Sequence, residues 1–416
     1  MEGGDKKMYK LTKREWVWAM YDFGNSAYAL IVITIFFPLF FAEYIVPGKL
    51  TTALWGGSVA LSIFLVGLIA PLLGAFTDRE AKRKSYFVLF SIIAITGTMV
   101  LPLTAYIPSY LGILIFVIVN SAFGISLSLY DSFIATVPQK KKETTTLSGI
   151  GWAIGYIGGP LCLGIAWFLM GQKLPVELSD YTTLFLITGL FFFFCSISTF
   201  RYLPEDSPKP IITTGLSVFR TVWQTLCSWR KMKYIFVFLF AMYFIMDGLT
   251  TVVYFVSLFA KVSLGFSIEQ IVVLLVVTQG VGIFATVVMC WLAEKFGEIK
   301  FLIFCSMIWI VIIFLIFFFS SYETFLYISA LTGIVIGSTP AIARGFLGKI
   351  IPIEKRAELF GFNTFASRIA TLIGPLVFGI TASLWNMKIA LLTVIPFFVV
   401  GVILLVCLNF IRGVKK

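Results

Sequence analysis

The stretch WAMYDFGNSAYALIVITIFFPLF, residues 18–40, carries one charged side chain, Asp22, in a run dominated by apolar and aromatic residues. An α-helix needs about 20 such residues to cross the hydrocarbon core of a bilayer, so this stretch predicts a membrane-spanning helix. A charge at that depth costs at least ~2.5 kcal/mol on insertion scales and is by default a hypothesis about function. Asp22, Asn25 and Ser26 are spaced i, i+3 and i+4 and share one helix face, which we expect to look away from lipid.

The rest of the chain repeats this pattern. Hydrophobic residues make up 59% of the 416 residues and charged residues 12%, whereas soluble domains carry about 25% charged residues. We therefore predict an all-α membrane protein with twelve transmembrane helices. The predicted spans are residues 16–42, 53–77, 86–105, 111–136, 149–170, 182–201, 233–259, 268–292, 301–320, 324–347, 361–384 and 389–411.

Lys and Arg predict on which side of the membrane each loop lies, because cytoplasmic loops carry the excess. Of the 32 Lys and Arg residues, 26 fall in the two tails and the loops on their side, and four fall on the opposite side. Both termini are therefore predicted to be cytoplasmic, and the compact loops favour the cytoplasmic (inner) membrane of a bacterium. Topology and anionic lipid account for the net charge of +12, so nucleic acid is not an expected partner.

The chain has no histidine, and its six cysteines form no CxxC pair. Histidine and paired cysteines are the usual protein ligands of zinc and haem, so we expect no metal and no cofactor. The missing histidine and the absence of a GxSxG motif also argue against an intramembrane enzyme. Any proton chemistry is expected to use carboxylates.

One long polar interruption, Leu203 to Lys233, divides six predicted spans from six. We predict an N-terminal six-helix half (1–202), a cytoplasmic linker with an interfacial helix (203–232) and a C-terminal six-helix half (233–416). The halves share a Gly-Pro pair, Gly159-Pro160 in span five and Gly374-Pro375 in span eleven. Each pair follows a loop proline, Pro138 or Pro352, at nearly the same distance. This internal repeat is typical of transporters built from two related halves.

Ionisable residues also interrupt three later spans: Asp131 in span four, Asp247 in span seven and Arg344 in span ten. The two aspartates lie on polar helical stripes, which we interpret as cavity walls. The stripes are Asn120, Gly124, Ser128 and Asp131 in span four and Tyr243, Asp247, Thr250, Thr251 and Tyr254 in span seven.

The loop after span two reads GAFTDREAKRK, residues 74–84, and resembles the signature of the major facilitator superfamily. We expect a tight turn at Gly74 and an Asp78 that caps the next helix or pairs with arginine. With Arg79 and Arg83, the loop would then lock one half of the protein against the other and act as a gate.

Four further strings are similar to the vacuole effluxer-like family of that superfamily. They are WAMYDFGNSAYA from Trp18, GWAIGYIGGP from Gly151, DGLTT from Asp247 and AIARGFLGKIIPIEKRAELFG from Ala341. The family includes fungal vacuolar amino-acid exporters and many bacterial members. The resemblance implies the major facilitator fold, in which spans one, four, seven and ten line the cavity. It implies transport, and only loosely amino acids.

We predict a secondary active transporter of a small polar, amino acid-like solute, coupled to protons and acting as a monomer in the lipid bilayer. Asp247 and Asp22 are the predicted proton carriers, because burial away from water favours the protonated form of a carboxylate. Arg344 or Arg368 would hold the solute carboxylate and Asp247 its ammonium group. The remaining predicted solute contacts are Tyr21, Tyr243 and Tyr254 around the side chain and Asn25 and Asn120 in the cavity walls.

Three alternatives stay open at the level of sequence. GYIGGP, residues 155–160, partly resembles the glycine-rich element of proton-coupled drug exporters, which leaves a multidrug or metabolite exporter. A membrane sensor that binds a solute without moving it is another. Finally, Asp22, Asp131 and Arg344 lie near the cytoplasmic ends of their spans, so they form a salt-bridged gate, a fixed ion pair or a solute site.

Overall fold

The computed structural model describes residues 11–80, 82–133, 137, 144–175, 177–203, 233–350 and 371–413. These residues form twelve helical units, and no strand occurs among them. The units are α1 (Lys13–Ile45), α2 (Thr51–Glu80), α3 (Arg83–Tyr106), α4 (Ser109–Phe133), α5 (Thr144–Leu169), α6 (Leu178–Tyr202), α7 (Lys233–Leu264), α8 (Ile268–Phe296), α9 (Glu298–Phe318), α10 (Tyr322–Ile336 and Ser338–Ile350), α11 (Ile373–Leu384) and α12 (Met387–Leu392 and Ile395–Gly413).

Eleven of these units are long and apolar enough to cross a membrane, and α11 is a shorter apolar helix. The predicted eleventh span, 361–384, begins outside the described residues. The loop prolines Pro138 and Pro352 also lie outside them, as does all of the predicted linker except Leu203. Within the described part, the helices overlap the predicted spans, because a run of apolar residues marks a membrane helix strongly.

The first helix begins with a capping box and ends irregularly. The Thr12 hydroxyl accepts from the Glu15 amide at 3.4 Å, and the Thr12 amide donates to the Glu15 carboxylate at 2.7 Å. This reciprocal pair satisfies amides that have no partner inside the helix. Further along, Tyr28–Ile35 and Phe41–Ile45 wind as π-helix, on either side of a short α-helical turn that contains Pro38.

The prediction of a tight turn at Gly74 is wrong. α2 stays helical through Gly74 to Glu80, and α3 begins at Arg83. A single glycine costs a helix only about 1 kcal/mol, so the good helix formers around Gly74 carry the helix past it. Asp78 consequently lies in the last turns of α2 and not at the start of α3, where Lys82 is the N-cap residue.

The helices pack as two groups, α1–α6 and α7–α12. In the first group α1 packs on α5 and α6, and in the second group α7 packs on α11 and α12. The groups meet where α2 packs on α11, where α1 packs on α7, and where α5 packs on α8 and α10.

The two groups fit tightly at the end of the bundle where α1 finishes and α2 begins, which we call the far end. The Trp55 indole donates to the Tyr254 carbonyl at 2.9 Å, and the Ser383 hydroxyl donates to the Lys49 carbonyl at 2.9 Å. A Cβ atom added to Gly379 would lie 3.2 Å from the Gly56 Cα atom, so α2 and α11 nearly touch backbone to backbone. The far end is closed.

Candidate functional site

Asp22 lies on α1 close to the opposite end of the bundle, where α1 begins. Its carboxylate is half-buried and accepts from the Asn25 side-chain amide at 3.3 Å. The Ser26 hydroxyl donates to the Asp22 carbonyl at 2.6 Å. Asp22, Asn25 and Ser26 therefore form one polar face, as their spacing predicts.

Glycines of α5 bring that helix against the polar face. A Cβ atom on Gly151 would lie 2.6 Å from an Asp22 carboxylate oxygen, and one on Gly155 would lie 2.6 Å from the Ser26 hydroxyl. One on Gly158 would collide with the backbone carbonyl of Phe23. Small residues allow two helices in a membrane to approach closely, and this packing accounts for Gly155 and Gly158 within GYIGGP.

Arg344 joins the second helix group to this face. Its guanidinium lies 5.9 Å from the ring centroid of Trp152 on α5, a distance suited to a cation–π contact. The charge of Arg344 also acts on the Asp22 carboxylate. Asp22, Trp152 and Arg344 thus form a cluster, the Asp22–Arg344 site, between the two helix groups.

Asp131 lies at the edge of this site. It is exposed in the last turn of α4, and its charge acts on Asp22. Just before it, Tyr130 stacks on Trp18 at 4.7 Å between ring centroids and donates to the Trp18 carbonyl at 3.0 Å. These contacts hold α4 against α1 where the two aspartates approach each other.

Tyr21 does not join Asp22, although it is the preceding residue. It is fully buried inside the first helix group, where its hydroxyl lies 2.8 Å from the Ser91 hydroxyl and 3.0 Å from that of Ser126. Consecutive residues of a helix point about 100° apart. Tyr21 is therefore placed away from the position at which we expected it to close around a solute.

Asn120 and Tyr254 lie in the packing that leads to the closed far end. Asn120 accepts a long hydrogen bond, 3.5 Å, from the Tyr28 hydroxyl, and Tyr28 stacks on Phe123 at 4.1 Å between centroids. Tyr254 and Asn120 are both buried. In this conformation Tyr254 contributes to the contact between the helix groups, with its ring 6.4 Å from that of Trp55, and Asn120 packs within the first group.

Asp247 caps the start of α11. It is 2% exposed, and both of its carboxylate oxygens lie 3.0 Å from the Gly374 amide, which donates to them. Gly374 is in the first turn of α11, where amides lack partners inside the helix, and the Leu372 N-cap residue provides no side-chain bond. A carboxylate at a helix N-terminus is also favoured by the helix dipole.

The absence of a side chain at position 374 leaves room for this capping. A Cβ atom there would lie 2.8 Å from an Asp247 carboxylate oxygen and would collide with the Thr251 hydroxyl. We expected Asp247 and Arg344 to hold one solute between them. In the described contacts the two side chains have different partners: Arg344 contacts Trp152, and Asp247 contacts Gly374.

The other predicted site residues are placed as follows. Tyr243 is buried one turn before Asp247, with its ring 5.9 Å from that of Phe240. Arg83 starts α3 with its guanidinium 5.7 Å from the Phe133 ring centroid. Gly74, Asp78 and Arg79 lie on α2, and Arg368 lies outside the described residues.

Sequence reasoning missed the aromatic residues of α5. Trp152 and Tyr156 are one helical turn apart, with ring centroids separated by 6.0 Å, and they face the second helix group. The signal was present in GWAIGYIGGP, where two aromatic residues are spaced i and i+4 among glycines. The partner helix could not be read from that spacing.

With this geometry in place, comparison with known proteins gives the family. The family model described as vacuole effluxer Atg22 like matches residues 48–416. The chain belongs to this family. Its relatives include autophagy-related protein 22-1 of Aspergillus niger, which is 21% identical over 77% of this chain and 67% of its own length.

A bacterial relative covers nearly the whole chain. The MFS-type transporter YxiO of Bacillus subtilis is 30% identical over 96% of this chain and 95% of its own length. Among solved structures, a variant of the nucleoside transporter NupG aligns over 95% of this chain and 100% of its own, with a TM-score of 0.69 at 13% identity. The human organic anion transporter MFSD10 aligns over the same shares with a TM-score of 0.63 at 16% identity.

These findings establish the major facilitator fold and the class of activity. This Atg22-like protein is an integral membrane transporter and not an enzyme.

Proposed function

We propose that the protein is a secondary active transporter of a small, amino acid-like solute, which binds at the Asp22–Arg344 site. The observation that carries the proposal is the contact of Arg344 with Trp152 across the two helix groups, within electrostatic range of Asp22. A site between two halves that rock against each other is the arrangement required for alternating access.

The chemistry of the site suits a zwitterion. Arginine presents a planar fork of N–H donors that matches a carboxylate. On the other side, the Asp22 carboxylate, supported by Asn25, suits an ammonium group, and the face of Trp152 attracts a cation. We therefore assign the solute ammonium to Asp22 in place of Asp247.

The same residues then act as gate and as binding site. Without solute, Arg344 and Asp22 partly neutralise each other across the helix groups. A bound zwitterion supplies an opposite charge to each and so replaces this attraction. Binding would thereby loosen or reshape the contact that joins the groups at this end, which links solute binding to conformational change.

Proton coupling is proposed to use Asp247, with Asp22 as a second carrier. The Asp247 carboxylate is held by the Gly374 amide, which donates to both of its oxygens. A proton on Asp247 would weaken the attachment of α11 to α7. Because α11 packs on α2 of the other group, this change would reach the closed far end.

We propose that the protein works as a monomer in a bacterial inner membrane, with both termini in the cytoplasm. The distribution of Lys and Arg supports this orientation, and the bacterial relative supports the membrane.

The test is counterflow of labelled amino acids in proteoliposomes containing the purified protein. We expect flux of at least one amino acid in the unmodified protein, loss in Arg344→Ala, and partial loss in Arg344→Lys because lysine lacks the planar fork. Arg201→Ala, at an exposed position, is the matched control and should behave like the unmodified protein.

Full flux in Arg344→Ala would contradict the proposed site. Binding without flux would identify a sensor, and flux of lipophilic cations alone would identify a drug exporter.

A further inference from the structure

Thr286 on α8 has a buried hydroxyl that lacks a hydrogen-bond partner among the described residues. Threonine in a helix commonly donates to the carbonyl four residues earlier. Thr278, two turns before it on the same helix, does so: its hydroxyl lies 2.9 Å from the Leu274 carbonyl and 3.1 Å from that of Ser329. A buried polar group without a partner costs about 1 to 3 kcal/mol, so the Thr286 hydroxyl calls for an explanation.

The Thr286 hydroxyl meets that of Tyr156 at Gly337. A Cβ atom on Gly337 would collide with both hydroxyl oxygens. Gly337 is also the residue at which α10 is interrupted, between Ile336 and Ser338. Tyr156, on α5 of the other helix group, is half-buried. The missing side chain at Gly337 thus lets two hydroxyls from opposite helix groups lie against the same stretch of α10 backbone.

The two hydroxyls lie next to the Asp22–Arg344 site along α5 and α10. Tyr156 lies one turn from Trp152, and Trp152 contacts Arg344. Along α10, Gly337 precedes Arg344 by about two turns, or roughly 10 Å of helix rise. A solute held at Arg344 by its carboxylate and extended along the α5 aromatic residues would bring its far end toward the two hydroxyls.

We propose that Tyr156 and Thr286 form a subsite for a polar group at the far end of the solute side chain. The inference rests on the proposed function and narrows its substrate class to amino acids with an amide, hydroxyl or carboxylate side chain. A site with buried hydrogen-bonding groups rejects a ligand that lacks the matching group, because its own groups then stay unpaired. Aliphatic amino acids of the same length should therefore bind more weakly.

The test compares L-glutamine with L-norleucine, which has a similar length and no polar end. Their affinities for the purified full-length protein would be measured by calorimetry in the unmodified protein, Thr286→Val and Tyr156→Phe. Both substitutions remove a hydroxyl and keep the shape of the side chain. Thr278→Val, which removes a hydroxyl that already has partners, is the matched control on the same helix.

The unmodified protein should prefer glutamine, and each of the two variants should reduce the ratio of affinities roughly two- to tenfold, the range for one lost hydrogen bond. The apparent melting temperature of Thr286→Val should be unchanged or higher, because no native hydrogen bond is lost. The ratio should not change in Thr278→Val.

An unchanged ratio in both Thr286→Val and Tyr156→Phe, or a preference of the unmodified protein for norleucine, overturns the subsite and leaves the proposed transport of amino acids standing. If neither these two nor any other amino acid binds, the proposed function fails, and the subsite fails with it.

Discussion

At the scale of single residues, environment decides what each polar side chain does. Asp22 and Asp247 are both aspartates within membrane-spanning helices, yet Asp22 faces an arginine of the other helix group and Asp247 a backbone amide of its own group. Tyr21 neighbours Asp22 in sequence and is nevertheless a core residue, hydrogen-bonded to Ser91. Charge and helical spacing predicted a functional role for Asp22 and Asp247. Charge and spacing did not distinguish a solute-binding residue from a helix cap, because the residues that contact each aspartate lie far away in sequence.

Close packing of α5 on α1 gives a prediction at this scale. Gly158→Ala should destabilise the protein by about 1 to 3 kcal/mol, the usual cost of overpacking, because the new Cβ atom would collide with the rigid Phe23 carbonyl. Gly164→Ala on the same helix has no neighbouring atom within 4 Å and should be tolerated. Thermal unfolding of both variants in the same detergent measures the difference. Equal melting temperatures would show that α5 does not pack on α1 as described.

At the scale of helices, the sequence predicted well where each helix lies and poorly where a helix is interrupted or capped. Hydropathy locates the spans because each membrane-spanning helix must satisfy its own backbone hydrogen bonds in lipid. The run from Gly74 to Glu80 was predicted to turn and is helical. The interruption of α10 at Gly337 and the capping of α11 by Asp247 were not predicted. Both depend on contacts between helices, which local propensity does not contain.

The cap on α11 can be tested by graded substitution. Asp247→Ala removes the acceptor of the Gly374 amide and should lower stability by about 1 to 2 kcal/mol, as for loss of other helix caps. Asp247→Asn keeps one acceptor oxygen, so the stability of this variant should lie between that of the alanine variant and that of the native protein. Hydrogen exchange of the α11 amides, with the α9 amides as internal reference, should show faster exchange in the order Asp, Asn, Ala.

Uniform exchange of α11 across the three proteins would mean that Asp247 does not hold its first turn.

At the scale of the whole molecule, the two helix groups are joined tightly at the far end and by the Asp22–Arg344 site at the other. Six spans on each side of a polar interruption, and related Gly-Pro pairs, predicted two halves from sequence alone. Which end is closed was not predictable, because a transporter sequence encodes every state of the cycle and a single structure shows one of them.

The closed far end predicts a cross-link. Lys49→Cys and Ser383→Cys, in a chain whose six native cysteines are replaced by serine, should form a disulfide under mild oxidation, because the hydrogen bond from the Ser383 hydroxyl to the Lys49 carbonyl brings the two backbone segments close together. The disulfide should block transport reversibly, since alternating access requires this end to open. Each single-cysteine variant is the control and should transport normally. Full transport by the cross-linked protein would show that the far end does not open.

The central claim is that Asp22 holds the ammonium group of the solute and Arg344 its carboxylate. The most direct measurement is binding of three ligands to Asp22→Asn and Arg344→Gln: glutamine, 4-aminobutanamide, which lacks the α-carboxylate, and glutaramic acid, which lacks the α-amine. We expect Asp22→Asn to weaken glutamine and the amine and to spare glutaramic acid, and Arg344→Gln to weaken glutamine and glutaramic acid and to spare the amine. If both substitutions weaken all three ligands equally, or neither weakens any, the assignment of the two charges to the solute is wrong.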